Sequence, residues 1–406
     1  MTNVLATSTI IAKTALPVLK NMLTFAAAVN RDYETEFTSN EQRGYAPGNT
    51  IYIKKPPRYL YRAGRVAVPQ ATVEQTVPLT LSQGGCDLQF TSNEMTLSLT
   101  KLEDKIAAAM APVANEIDRQ GLQLAHYATY NALNPTGALP TTAALAIQAM
   151  TQMGQRLDEM AASRKDRQRA LITNPALNAA LIQGFGGYFN NQGKVSEQNR
   201  TGMMADNNFG FDKVGMDQNV DVHTNGAATA TNINGAGQTG SSITVVAVAG
   251  GTLTRGTVIT LPGVFAVNPQ TRQSTGQLAN FVVTADVAAG ATSIPISPAI
   301  VTSGAFQNVT ASPTTGQPYV ILGAASTSYS TNVAFHKDAF TLAMVPMWAP
   351  PSGKGVVDVA QESEDGFTVK CTKFYDGVND NLITRLDVLF GWAATYPELS
   401  VKYYSV

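Results

Sequence analysis

Residues 241–263 read SSITVVAVAGGTLTRGTVITLPG. Two apolar runs, Ile243-Thr244-Val245-Val246-Ala247-Val248 and Val258-Ile259-Thr260-Leu261, are parted by a Gly-Gly pair, and the second is ended by Pro262-Gly263. Short β-branched runs bounded by glycine and proline predict strands rather than helix. The pattern continues outward through Phe281-Val282-Val283, Ser293-Ile294-Pro295-Ile296 and Tyr319-Val320-Ile321-Leu322. Short strands at roughly ten-residue spacing predict a small barrel or sandwich. From Thr224 to Phe335 the only formal charges are Arg255, Arg272 and Asp286, whereas both flanks carry ordinary charge. An uncharged, turn-rich β segment inside a mixed chain reads as an inserted domain.

The flanks read differently. In Thr100–Asn131, Leu102, Ile106, Met110, Val113, Ile117, Leu124 and Ala128 recur every three or four residues. Thr100 and Glu103 form a capping box at its start. At 1.5 Å per residue this helix would be roughly 48 Å long. Pro112 is expected to bend it and Gly121 to weaken it. Ile10, Ile11, Leu16, Val18, Leu19, Met22, Leu23 and Phe25 predict a shorter helix, whose apolar stripe packs either on its own core or on another subunit. Residues 132–222 read as α/β, with helices over Thr141–Ala162 and Ala176–Gln183 around a buried strand, Leu171–Pro175. After Pro346, Phe367, Val369 and Cys371, then Leu386, Val388, Phe390 and Trp392, then Leu399, Val401 and Tyr403 alternate with other residues. Asp376-Gly377 is a hairpin signal, so this stretch predicts a long β-ribbon with one apolar face.

Two charged stretches stand out. From Gln42 to Val73 there are six basic residues, Arg43, Lys54, Lys55, Arg58, Arg62 and Arg65, and no acid. Strand-like Ile51–Ile53 and Val77–Leu81 flank this run and predict an extended hairpin. It could bind phosphates with Tyr59 and Tyr61 stacking on bases, lie on an acidic neighbour, or be a solvated loop. Asp358, Glu362, Glu364, Asp365, Asp376 and Asp380 make the C-terminal region its acidic complement.

The rest of the chain excludes more than it assigns. Its 406 residues exceed one simple core, and a net charge of −1 with 14% charged residues gives no global field for nucleic acid or membrane. Cys86 and Cys371 offer no pairing framework, and His126, His223 and His336 lack ligand spacing, so neither a zinc site nor any other metal or cofactor is expected. The N-terminal residues lack a basic n-region before an apolar core, and no run reaches the ~20 apolar residues of a membrane span. Gly184-Phe185-Gly186-Gly187 lacks the strand and helix context of a nucleotide loop. Arg164, Lys165, Arg167 and Arg169 read as a solvated helix end or a nucleic-acid patch.

Three stretches carry a family resemblance. The first is Val77-Pro-Leu-Thr-Leu-Ser-Gln with Phe90-Thr-Ser-Asn-Glu-Met-Thr-Leu-Ser-Leu, leading to Ala114-Asn-Glu-Ile-Asp118. The second is Gly263-Val-Phe-Ala-Val-Asn-Pro-Gln-Thr-Arg-Gln-Ser-Thr-Gly-Gln-Leu. The third is Arg385-Leu-Asp-Val-Leu-Phe-Gly-Trp-Ala-Ala-Thr-Tyr-Pro-Glu. Together they resemble the major coat proteins of tailed bacteriophages similar to the P22 coat protein, in order and over most of the chain.

That resemblance implies an α+β, HK97-like capsid fold. It implies an N-terminal arm over 1–46, an extended loop over 47–84, and a peripheral domain with the spine helix over 85–131. An axial domain over 132–223 would resume over 336–365, an inserted small β-barrel would fill 224–335, and a peripheral-domain β-ribbon would close the chain over 366–406. It implies a homo-oligomer of pentamers and hexamers in an icosahedral shell around double-stranded DNA held non-specifically, with scaffolding and portal proteins as partners and no membrane. The shell would be assembled in the bacterial host cytoplasm. Inter-subunit contact would involve Lys54, Lys55, Arg58, Tyr59, Tyr61, Arg62 and Arg65 against Asp358, Glu362, Glu364 and Asp365. In the family a charged loop of the insertion is implied to bridge capsomers; here Thr229–Ser242 carries no charge, so any contact there would be apolar or hydrogen-bonded. A secreted or surface carbohydrate-binding β-domain protein is the alternative. An enzyme using the carboxylates at 358–365 is a further one.

Overall fold

The computed structural model describes residues 8–33, 48–67, 69–91, 102–185, 202, 204, 206–349 and 358–406, with backbone alone for 102–104. The chain divides into two compact units. One comprises Met1–Ile53, Val77–Gly121 and Thr341–Ala393; the other comprises Lys54–Thr76, Leu122–Phe340 and Ala394–Val406.

In the first unit, helix α1 (Ser8–Met22) buries Ile11, Ala12, Ala15, Leu16 and Leu19. It lays this stripe on the strands Asp358–Glu364 and Phe367–Asp376, so the stripe packs on its own core. Just beyond α1, the backbone N–H groups of Thr24, Phe25 and Ala26 donate to the carboxylate of Asp118 at 2.7, 3.2 and 2.9 Å. Asp118 is buried, so these bonds replace the water it gives up. It sits on helix α2 (Leu102–Ala128), whose 27 residues span about 40 Å. The proposed Thr100 cap and the Glu103 side chain lie outside the described residues. α2 runs through Pro112; both Pro112 and Ala108, whose carbonyl loses its donor, are on the exposed face, where water can serve it.

Gly121 in α2 has a packing reason. A Cβ there would stand 2.6 Å from Trp392 and 2.8 Å from Phe25. Trp392 Nε1 also donates to Ile117 O at 3.1 Å. The glycine lets the two rings lie against the helix backbone. The sheet of this unit is built on Asn381–Ala394. One side of that strand pairs with Phe367–Asp376 and the other with Ser82–Thr91, so Leu386 faces both Cys371 and Cys86. Asp365 and Gly366, both with positive φ, make the tight turn between Asp358–Glu364 and Phe367–Asp376.

In the second unit a six-stranded sheet has the order Ala132–Leu133, Ser400–Ser405, Ser328–His336, Arg169–Thr173, Lys213–Met216, with Val222–Thr224 pairing with one end of Ser328–His336. The last strand therefore does not extend the preceding ribbon; the expected ribbon ends near Ala394. Helices α3 (Ala143–Glu159) and α4 (Pro175–Phe185) bury Met150, Met153, Leu157, Leu177, Leu181 and Phe185 with Leu171 and Val401 of this sheet. Thr142 caps α3 and Asn174 Oδ1 accepts from Leu177 N at the start of α4.

The uncharged segment leaves the sheet at Thr224 and rejoins it at Ser328, where the two hydroxyls meet at 2.8 Å. Residues 328–335, composed like the segment, belong to the sheet's centre instead. Between these points five strands have the order Val320–Ile321, Val258–Val267, Ser274–Val283, Ser293–Ile300, Gly240–Thr244. Residues 229–234 bond to both edges. On one side Thr229 N donates to Ala249 O and Val246 N to Asn232 O; on the other Ile233 N donates to Gln317 O and Tyr319 N to Thr231 O. The side chain of Gln238 folds the next turn back on itself through Asn234 O and Thr244. Ile243, Val245, Ile259, Leu261, Phe281, Val283, Ile294, Ile296 and Tyr319 fill the interior. The second strand does not end at Pro262-Gly263. It continues to Val267 across a register shift, with Gly263 at φ 77°.

Candidate interaction sites

The basic stretch begins as a two-stranded ribbon, Thr50–Lys55 with Gln75–Thr80. Beyond it the chain has no ladder and is held by side chains. Gln70 bonds both backbone groups of Leu60, at 2.8 and 2.7 Å, and Tyr59 Oη meets Thr72 Oγ1 at 2.9 Å. Such cross-links join Tyr59 and Leu60 to Gln70 and Thr72 without a continuous ladder.

The cations are used unevenly. Arg58 Nη2 donates to Glu398 Oε1 at 2.6 Å. Lys55 Nζ lies 5.1 Å from the Tyr396 ring centre. Burial pushes the Lys55 ammonium below the ordinary lysine range, with Glu398 partly restoring it. Behind this anchor lies a cavity of about 280 Å³ lined by Arg156, Phe306, Val309 and Tyr396 among others. Lys54 pairs with Glu74 at 3.0 Å, exposed on both sides. Arg62 folds onto the carbonyls of Gly64 and Val66, and Arg65 is exposed. Around them Tyr59, Leu60, Tyr61 and Val66 are 53%, 42%, 94% and 79% exposed. Contiguous exposed apolar side chains, unlike scattered ones, are the pattern common at interaction surfaces.

The acids at 358–365 are partnered within their own unit. Asp358 Oδ2 accepts from Ser8 N, at the start of α1, at 2.7 Å, and that backbone N–H holds its carboxyl below the usual range. Glu362 lies 4.0 Å from Lys13. Lys20 bonds Glu364 at 3.4 Å and also Asp365. The bond that Lys20 donates to Asp365 raises the Lys20 pKa and lowers that of Asp365. This strand is thus the seat of α1. In the second basic cluster Arg164 and Arg169 both reach Asp158 and Arg169 is fully buried, while Lys165 and Arg167 are exposed.

Sequence reasoning missed Gln70 and Glu74 on the ribbon, Glu398 as the acceptor of Arg58, and Lys13 and Lys20 on α1. Glu74 lay one residue beyond the scanned stretch. Glu398 is 340 residues from its arginine, and no local signal joins them. Among the described residues no group of three or more His, Cys, Asp or Glu is placed to hold a metal ion.

Residues 75–403 match the family model described as P22 coat protein, gene protein 5. No curated protein sequence matches the chain. A structure from Mycobacterium phage Che8 superposes with a TM-score of 0.50 at 13% identity, covering 94% of this chain and 90% of that one. That likeness shows a shared fold. The mature capsid of bacteriophage PhiM1 gives a TM-score of 0.42 at 11% identity, over 88% of this chain and 82% of its own.

Proposed function

The chain belongs to the P22 coat protein family, and on that premise we propose how its surfaces build a shell. It is a phage coat protein, a structural component of the virion capsid, with a mixed α+β fold. Its architecture is HK97-like: α2 is the spine helix, residues 47–84 the extended loop, and the six-stranded sheet with α3 and α4 the axial domain. Residues 225–327 form an inserted β-barrel. The paired hydroxyls of Thr224 and Ser328, and the bonds of 229–234 to both sheet edges, support that reading. Identical copies tile an icosahedral shell of pentamers and hexamers in the host cytoplasm, with scaffolding and portal proteins, around double-stranded DNA. The role is structural rather than catalytic.

The exposed end of the basic ribbon is the observation that carries the contact. Tyr59, Leu60, Tyr61 and Val66 stay in water beside Arg62 and Arg65, whereas Arg58 is committed to Glu398 within the chain. The inter-subunit contact therefore lies beyond Arg58. Buried apolar area would supply its affinity, and the two outer arginines its register. The partner surface is acidic and belongs to another copy. Because Lys13 and Lys20 already pair with Glu362, Glu364 and Asp365, those acids contribute to it less than their sequence suggests.

Reversing Arg62 and Arg65 to Glu, leaving Arg58 intact, is expected to give a folded chain that sediments as a small species and forms no shells in negative-stain micrographs. Normal shells from that variant would overturn the assignment.

A further inference from the structure

Three basic side chains meet in the interior of the second unit. His126, near the end of α2, is 1% exposed, His223 4% and Lys402 0%. The two imidazole centres are 4.8 Å apart. Lys402 Nζ donates to Gly256 O at 2.9 Å and to His126 O at 3.3 Å. One ammonium thus ties the last strand to the end of α2 and to the uncharged segment. His223 Nε2 meets Thr257 Oγ1 at 3.1 Å. Neither ring nitrogen of His126 has a hydrogen-bond partner, nor has the buried hydroxyl of Tyr404. Gly256 sits directly on the His126 ring: a Cβ there would stand 2.4 Å from Nε2.

We propose that His126, His223 and Lys402 form a proton-sensitive joint where α2, the segment at Gly256–Thr257 and the last strand meet, closed while both imidazoles are neutral and opened when they take up protons. The charges facing it make this so. Arg255 stacks on Tyr127, the neighbour of His126, with its guanidinium 4.2 Å from the ring centre. Asp221 is the carboxylate whose field reaches Lys402. No carboxylate bonds either imidazole in the contacts above. A proton on His126 would place a second buried cation beside Lys402 with no acceptor to receive it. The segment resting on the ring would have to lift to admit water.

The titration behaviour follows the same geometry. Burial pushes both imidazoles below the ordinary value of 6.5, with the Lys402 charge adding to it, His223 reaching about 4. Burial also lowers Lys402 to about 7, Asp221 opposing. The unfolded chain therefore binds protons that the folded one refuses. Stability from the imidazoles is complete above their unfolded value and lost as pH falls below it. Lys402 adds in the same direction, its contribution rising with pH above about 7.

Urea unfolding of the full-length unassembled chain at pH 8 and pH 5 tests this. Each excluded proton should shift the unfolding constant about 30-fold between those pH values. His126→Phe should thus weaken the pH dependence by about that factor relative to wild type. An unchanged dependence would overturn the joint. Should that variant fail to fold, the wild type decides. The chain has three histidines, so histidine-labelled NMR with His336→Gln and His223→Gln for assignment reads each ring. Signals of His126 and His223 that stay neutral to pH 5, with faster hydrogen exchange at 254–258 after correction for intrinsic rates as the pH falls further, support the proposal. A midpoint near 6.5 for these two rings in the folded chain would refute it.

Discussion

The uncharged segment 225–327 and the basic ribbon 54–76 treat apolar residues in opposite ways. The segment turns Ile259, Leu261, Phe281 and Tyr319 inward and ties residues 229–234 to both edges of its sheet. The ribbon leaves Tyr59, Leu60, Tyr61 and Val66 in water and keeps its shape with Gln70 and Tyr59 rather than with a core. The same kinds of side chain are thus buried in one place and left in contact with water in the other. Apolar area in the segment stabilises the fold. On the proposed reading, apolar area on the ribbon is held for a partner.

Substitutions should separate the two regions by the size of their effect on the isolated chain. Phe281→Ala empties the centre of the segment and should cost about 3–5 kcal/mol in urea unfolding. A loss below about 1 kcal/mol would mean that the segment has no packed core of its own. At the ribbon's anchored base, a double-mutant cycle on Arg58→Ala and Glu398→Ala should return a coupling of about 1 kcal/mol, as expected for a partly exposed pair. Zero coupling would move the boundary between anchored and free ribbon inward to Lys55. At the ribbon's exposed end, Tyr61→Ser should change stability by no more than about 0.5 kcal/mol, yet abolish shell formation by sedimentation. A destabilised monomer would show that Tyr61 already has a place to pack within its own chain.

Much of this was legible in the residues. β-branched runs, glycine and proline punctuation and the scarcity of charge mark the segment's strands, because a strand's side-chain period and a turn's backbone demands are local. The apolar period marks α1, α2 and α3 for the same reason. Boundaries failed where composition stops discriminating. Residues 328–335 resemble the segment but form a central strand, since a buried strand on either side of the junction needs the same small apolar and hydroxyl residues. The alternation of Val401 and Tyr403 assigns Lys402 to solvent, whereas all of Ser400–Ser405 is buried. The site was legible as a basic, aromatic stretch; its anchor on Glu398 was not.

By itself the sequence determined the kinds of element, their order, the family and the stretch of surface that carries cations and aromatics. Those follow from periodicity and composition, which act over a few residues. Tertiary structure alone decided that Glu398 receives Arg58, that lysines of α1 pair with Glu362, Glu364 and Asp365, that Gly121 is room for Trp392 and Phe25, and that His126 meets His223 where Lys402 bonds the end of α2. Each of these joins residues distant in the chain, and which distant charge or ring arrives at a given point is set by how whole elements pack.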